Sequence, residues 1–357
     1  MSRFFSDKYK ALEPYTPGEQ PKIMNLTKLN TNECPFPPSE KALQFAREHT
    51  RPLNLYSDIE GTEVRRALAE LYGIGPENLI LSNGSDEILN FAFMAFCDEK
   101  HPAAFPDISY GFYPVFAQLN RIPYTEIPLR ADFGVAPEDY FDLGKTIFIA
   151  NPNAPTGLAL ARDQVEEIVK RNPDSVVVID EAYVDFGGET SIPLIGKYDN
   201  LLVVQTFSKS RSMAGARLGF AAGSAALIAD LNTIKFSTNP YNVNSMTLAV
   251  GLGVLLDEET TKANCRTIME NRAYTTAELE KIGFTVLPSA ANFIFARSDK
   301  ICGKALYTKL RERAVLIRHF EKERIKDWNR ITVGTKEQID VLIEKIIEIT
   351  EEQHEDR

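Results

Sequence analysis

Residues 175–183 read Ser-Val-Val-Val-Ile-Asp-Glu-Ala-Tyr, and residues 201–209 read Leu-Leu-Val-Val-Gln-Thr-Phe-Ser-Lys. In both, an apolar run rich in β-branched residues stops abruptly on polar groups. An apolar run without polar alternation is the pattern of a strand buried on both faces, as in a parallel sheet covered by helices. Thr146–Ala150 is a third such run, and the amide-bearing turn Asn151-Pro152-Asn153-Ala154-Pro155-Thr156-Gly157 follows it. The polar helical stretch from Ala161 to Arg171 separates the Thr146–Ala150 run from the one that begins at Ser175, which gives the βαβ rhythm of an α/β domain. Upstream, Glu63–Tyr72 reads as a helix, Asn78–Leu81 as a short strand, and Asp86–Phe96 as an apolar helix capped by Ser85 or Asp86.

Beyond about Leu231 the texture changes. A long helix from Thr260 to Ile282 precedes strand-like Phe284–Leu287 and Asn292–Ala296. A helix (Lys304–Arg313), strands around Leu316 and Ile331, and an amphipathic closing helix, Lys336–Glu351, complete the chain. The first fifty residues carry Pro14, Pro17, Pro21, Pro35, Pro37 and Pro38, and read as an arm lying over another unit. The expectation is an α/β protein. Its large domain, residues 43–230, has a mostly parallel sheet flanked by helices. Its smaller α+β domain is built from both ends, residues 1–42 and 231–357.

Composition narrows the function classes. The 357 residues suit about two domains. Fifty Asp and Glu against 40 Lys and Arg give a net charge of −10, which argues against a nucleic-acid or anionic-membrane partner. No apolar run reaches the ~18 residues of a membrane helix, and Met1–Lys10 lacks the apolar core of a signal peptide. Cys34, Cys97, Cys265 and Cys302 are scattered, and His49, His101, His319 and His354 lack metal-ligand spacing. A reduced, cytoplasmic enzyme without a metal is the expected setting.

In open α/β sheets, ligands bind beyond the carboxyl ends of the parallel strands. Here those ends deliver an amide turn, the carboxylate of Asp180 and the amine of Lys209 to one rim, with Arg217 eight positions on. Each feature alone has a structural explanation, but the three in sequence order point to chemistry. No GxxxxGK[ST] motif occurs, and Gly73-Ile74-Gly75 lacks the third glycine of a dinucleotide fingerprint. One lysine, one buried aspartate and an anion pocket together suit Schiff-base catalysis with pyridoxal 5'-phosphate. Asn83-Gly84-Ser85-Asp86-Glu87, at the start of the apolar helix, offers backbone amides to a phosphate, and Ser208 and Arg217 complete that shell. Tyr110 is placed to stack on the pyridine ring.

These residues resemble the fold-type-I pyridoxal-phosphate enzymes of the aspartate aminotransferase superfamily, and most closely the histidinol-phosphate aminotransferases. The resemblance runs from Leu12-Glu13-Pro14-Tyr15-Thr16-Pro17-Gly18 and Lys28-Leu29-Asn30-Thr31-Asn32-Glu33-Cys34-Pro35 to Arg330-Ile331-Thr332-Val333-Gly334-Thr335. It implies Lys209 as the Schiff-base lysine and proton carrier, Asp180 on the pyridinium nitrogen and Tyr183 on the cofactor's phenolate oxygen. Ser85, Asp86, Ser208 and Arg217 would bind the phosphate, with Tyr110 stacking. Tyr56 would reach the cofactor of a neighbouring subunit, which implies a homodimer. Arg330 would grip the carboxylate of glutamate or 2-oxoglutarate, and Tyr15, Asn32 and Arg318 would line the substrate pocket.

The implied activity is ping-pong amino transfer between glutamate and imidazole-acetol phosphate, a step of histidine biosynthesis. A decarboxylase similar to threonine-phosphate decarboxylases, and an aromatic amino-acid aminotransferase, share the same cofactor residues. A non-catalytic sensor module would require a DNA-binding domain, which the proline-punctuated arm does not resemble. The chain departs from the family where an Asn usually precedes the Pro-Thr-Gly turn: Ala154 stands there, and Asn153 is the expected substitute. Cys34, at the substrate entrance, reads as a small space-filler.

Overall fold

A computed structural model describes residues 2–22, 24–50 and 53–355. After the short strand β1 (Thr27–Lys28), seven strands form the large sheet. They are β2 (Leu79–Ser82), β3 (Ala103–Pro106), β4 (Tyr124–Ile127), β5 (Thr146–Ala150), β6 (Val177–Asp180), β7 (Leu201–Thr206) and β8 (Gly219–Gly223), in spatial order β2-β8-β7-β6-β5-β3-β4. Only β8 runs against its neighbours; every other adjacent pair is parallel.

Helices cover both faces: α1 (Glu40–His49), α2 (Thr62–Tyr72), α3 (Ser85–Phe96), α4 (Phe112–Asn120), α5 (Arg162–Lys170), α6 (Ala225–Thr238) and α7 (Ser245–Leu255). The two-residue period of a strand divides its side chains between the faces. Ile147 and Ile149 of β5 join Ile179, Val203, Leu68 and Ile168 in one core, while Phe148 joins Val178, Leu202, Phe93 and Leu231 in the other. Burying a Val, Ile or Phe side chain contributes about 1.5–3 kcal/mol, so this continuous apolar texture fixes the sheet as a middle layer.

The smaller unit contains α8 (Glu258–Lys281), β9 (Phe284–Val286), β10 (Phe293–Ser298), α9 (Gly303–Glu312), β11 (Val315–Leu316), β12 (Arg318–His319), β13 (Trp328–Thr332) and α10 (Lys336–Glu355). Its antiparallel sheet has the order β12-β13-β10-β9. β1 pairs in parallel with β11, and Leu29 enters the small core, so the extended part of the arm joins this unit.

The junctions expected at 42/43 and 230/231 both fall inside helices. Ala42 of α1 belongs to the large core together with Val254 of α7, and Leu231 of α6 is buried against the opposite face of the large sheet. The helices α6 and α7 therefore extend the large unit to about residue 256. Truncating Leu231 to Ala should destabilise the protein by about 2–5 kcal/mol, measured by urea unfolding followed by circular dichroism.

Candidate active site

The carboxyl ends of β5, β6 and β7 and the start of β8 meet at one edge of the large sheet. Because β8 runs backwards, its first residue, Gly219, pairs with Ser82 at the end of β2 and with Thr206 at the end of β7. The chain that links β7 to β8 carries Ser208, Lys209 and Arg217 along the same edge. A Cβ on Gly219 would lie 2.5 Å from the Ser85 amide, so only glycine lets the start of α3 settle there. Gly84 caps α3 at φ +77°, and no side chain caps that end. The first-turn amides are thus available to an anion, reinforced by the helix dipole. Arg217 stands beside them, 3.2 Å from Asp86 through Nη2 and 3.5 Å from the Ser208 hydroxyl through Nη1.

Asp180 ends β6 and is buried. One of its oxygens accepts the Tyr113 hydroxyl at 3.1 Å and the other the Ala182 amide at 3.2 Å. Burial pushes its pKa up to about 7; Tyr113 and Ala182 oppose this, and Asp86 adds to it. Lys209 reaches past the Tyr183 ring, 5.7 Å from its centroid, and donates to the Thr31 carbonyl at 3.2 Å. The Tyr183 hydroxyl accepts from Asn32 Nδ2 at 3.0 Å.

Two adjoining cavities share Tyr110, Ala154, Tyr183 and Lys209. The inner one is bounded by Ser85, Asp86, Asp180, Ser208 and Arg217. The outer one, about 420 Å³, is walled by Tyr15, Asn32, Arg318 and Arg330. Lys209 therefore sits where the two meet.

The outer wall carries two guanidinium groups, Arg318 and Arg330. Arg330 Nη2 donates to the Asn30 carbonyl at 3.0 Å, its Nε is buried without a partner, and burial lowers its pKa. Arg318 donates to the arm carbonyls of Thr16 and Pro17 at 3.0 and 3.2 Å. Tyr15 stacks on Phe112, with ring centroids 4.1 Å apart. Tyr110 lies between the cavities and donates to Asp86 at 2.6 Å.

Two expected residues lie outside these cavities. Asn153 faces away from them. Its Nδ2 donates to the Ile108 carbonyl at 3.0 Å and the Thr156 hydroxyl at 3.1 Å, and its Oδ1 accepts from Ser109 at 2.7 Å. Its amide is committed to holding the Tyr110 loop, and Ala154 presents only a methyl group to the cavity, so the expected substitution by Asn153 does not occur in this geometry. Tyr56 is 80% exposed, stacked on Tyr241 at 4.1 Å. Cys34 packs in an apolar cluster with Tyr183, Phe186 and Cys265, in keeping with a space-filling role. Tyr113 was not anticipated. It sits in the first turn of α4, and its ring meets that of Tyr110 edge-on with centroids 5.7 Å apart.

The donor set fits a ring-bearing phosphate cofactor. Asp180 has two donors and a burial-raised pKa that a protonated ring nitrogen would bring down, while uncapped amides and Arg217 suit a phosphate. Such a rim, with one lysine at its centre, defines the class of Schiff-base enzymes. Residues 24–346 match the family Aminotransferase class I and II. The chain is 47% identical over 350 residues to a histidinol-phosphate aminotransferase of Brachyspira hyodysenteriae, covering 97% of this chain and 98% of that one. It is 49% identical over 347 residues to histidinol-phosphate aminotransferase 1 of Bordetella parapertussis, covering 96% and 98%. The histidinol-phosphate aminotransferase of Sinorhizobium meliloti, solved with pyridoxal-5'-phosphate, shares the fold with a TM-score of 0.84 over 91% of each chain at 20% identity. The chain belongs to the class I and II aminotransferases, within the histidinol-phosphate aminotransferase family, and its cofactor is pyridoxal phosphate.

A carboxyl whose pKa is raised on folding adds stability at low pH that is lost as pH climbs through the folded value. In the cofactor-free protein, Asp180 should therefore contribute a fall in melting temperature as pH rises from about 4 to about 7. Asp180→Asn should flatten that slope by comparison, and pairing with bound pyridoxal phosphate should flatten it in the unmutated protein.

Proposed function

We propose that this aminotransferase moves an amino group between glutamate and imidazole-acetol phosphate, giving 2-oxoglutarate and histidinol phosphate by alternating half-reactions. The observation that carries the reading is the placement of Lys209 at the meeting of an inner cavity bounded by Asp180, Ser85, Ser208 and Arg217 and an outer one bearing Arg318 and Arg330. Bound, pyridoxal phosphate supplies an aldehyde for exchange between amines and a ring that accepts electrons.

The chain's own groups do the rest. Ser85, the amides at the start of α3, Ser208 and Arg217 anchor the phosphate. Asp180, held by Tyr113 and Ala182, would keep the ring nitrogen protonated. Tyr183 would donate to the ring oxygen, and Tyr110 would flank the ring. The Lys209 amine, at the meeting of the two cavities, would serve as the base that takes the proton from the substrate α-carbon. Arg330 binds carboxylate in one half-reaction. Its planar guanidinium, together with Arg318, suits phosphate in the other. Tyr15, stacked on Phe112, forms part of the wall of the outer cavity.

The site is completed by a second copy. Leu53, Leu55, Tyr56, Phe236, Tyr241 and Met246 are all exposed. The loop that carries the first three is tied to the segment bearing the others by the Ser57–Val243 and Lys235–Ile59 hydrogen bonds. An apolar surface of this kind suits a subunit contact, with Tyr56 extended to the partner's phosphate. The protein should elute as a dimer, and Tyr56→Phe should weaken cofactor binding by roughly tenfold, the value of a hydrogen bond to a charged group.

Lys209→Ala should lose the cofactor's visible absorption band and all turnover. Glutamate alone should bleach that band in the unmutated holoenzyme, and histidinol phosphate should do so faster than phenylalanine. Carbon dioxide release from threonine phosphate, without bleaching by glutamate, would overturn the assignment in favour of a decarboxylase.

A further inference from the structure

Asn32 is held in an unusual state. It is buried, its backbone lies in the left-handed region at φ +56°, and every polar atom it carries has a partner. Its backbone N–H donates to the Thr332 hydroxyl oxygen at 2.9 Å, and Asn292 donates to its carbonyl at 2.9 Å. Its side-chain Oδ1 meets the same Thr332 hydroxyl at 3.1 Å, and its Nδ2 meets the Tyr183 oxygen at 3.0 Å.

These contacts carry a direction. A backbone N–H has only one role, so Thr332 accepts from Asn32. The Thr332 hydroxyl proton then needs an acceptor, because the residue is buried, and Asn32 Oδ1 is the group that meets it. Reversing the amide would leave that proton with no acceptor among the described residues. The amide orientation is thereby fixed by its network. It follows that Nδ2 faces Tyr183 and that the Tyr183 oxygen accepts. No acceptor among the described residues takes the Tyr183 proton in turn. Tyr183 borders both cavities, so that proton is directed into them.

We propose that Thr332 and Asn32 are positioning residues that set the polarity of Tyr183, fixing it as a hydrogen-bond donor toward the cofactor's ring oxygen. The inference rests on the reading of Tyr183 as the residue that touches that oxygen. It gives Asn32 a task other than gripping substrate. It also accounts for how the site manages with a methyl group at Ala154, since one oriented donor replaces a second amide. Thr332 lies two residues from Arg330 on β13, so the strand that carries the anion-binding guanidinium also sets the tyrosine.

The test is the pH midpoint of the cofactor's visible band in substrate-free holoenzyme. That midpoint reports the proton shared between the Lys209 nitrogen and the cofactor's ring oxygen. A hydrogen bond donated to the oxygen stabilises the state without the proton and holds the midpoint low. Tyr183→Phe should raise it by about one unit. Asn32→Gly keeps the left-handed backbone and frees the tyrosine to rotate; it should raise the midpoint by about half as much. Thr332→Val should do the same, and Thr332→Ser, which keeps the hydroxyl, should leave it unchanged.

The Tyr183→Phe and Asn32→Gly double variant should match Tyr183→Phe alone. An unmoved midpoint in Asn32→Gly and Thr332→Val, or shifts that add to that of Tyr183→Phe, would overturn the proposal. If Asn32→Gly fails to fold, the Thr332→Val and Thr332→Ser pair decides the matter from the other end of the relay. An unmoved midpoint in Tyr183→Phe itself would instead reject the contact between Tyr183 and the ring oxygen.

Discussion

Gly219 lies between Ser82 and Thr206, with the start of α3 pressed against the place where its side chain would be. That contact exists because β8 alone runs backwards through the large sheet. Had β8 been parallel, its carboxyl end would occupy the edge, and the loop bearing Ser208, Lys209 and Arg217 would have to cross the sheet. The short return from β7 keeps the lysine, the guanidinium and the helix amides within one small volume. The inner cavity owes its guanidinium, amine and helix amides to that geometry and not to the overall charge of −10. A net acidic protein thus encloses a pocket suited to small anions.

The carboxylates that end β6 show how the same physics serves two purposes. Asp180 and its neighbour Glu181 are both buried, and burial pushes each pKa up to about 7. Glu181 is saturated: Thr190 and Gln205 donate to one oxygen, and the Ser191 amide to the other. It ties the strand end to the following turn and lines neither of the two site cavities. Asp180 has two donors and an open side toward the inner cavity. The difference between a structural and a functional carboxylate lies in how completely its neighbours answer it.

Much of this was legible in the sequence, for definite reasons. Strands buried on both faces are unbroken apolar runs, so β5, β6 and β7 stood out, and the residues after each named the rim. β8, read as Gly-Phe-Ala-Ala-Gly, is short and small-residued and gave no such signal. The helices α6 and α7 were hidden because apolar residues are spread around them, which blurred the domain junction. Within the site, Tyr183 entered through the family resemblance, whereas Lys209, Asp180 and Arg217 could be placed at the rim from local order. Asn153 could not, because the proline-flanked turn directs its amide to Ile108 and Ser109, a contact 45 residues away in sequence for the first. The Asn32–Thr332 pair, 300 residues apart, has no local signature at all.

The pairing of β1 with β11 joins Thr27 to Val315, so the small unit is sewn shut by chain from opposite ends. On a ribosome, these two strands emerge far apart in time. The large sheet, whose strands all lie between residues 79 and 223, has everything it needs well before Val315 is made. Domains fold as units during synthesis, and non-local pairings close late. The segment around Thr27, Asn30 and Asn32 must therefore wait beside a nearly finished large sheet until β11 and β13 arrive to receive it. The residues that orient Tyr183 and support Arg330 are thus among the last to be assembled, and a nascent chain carries its lysine and phosphate cradle before it has a substrate wall.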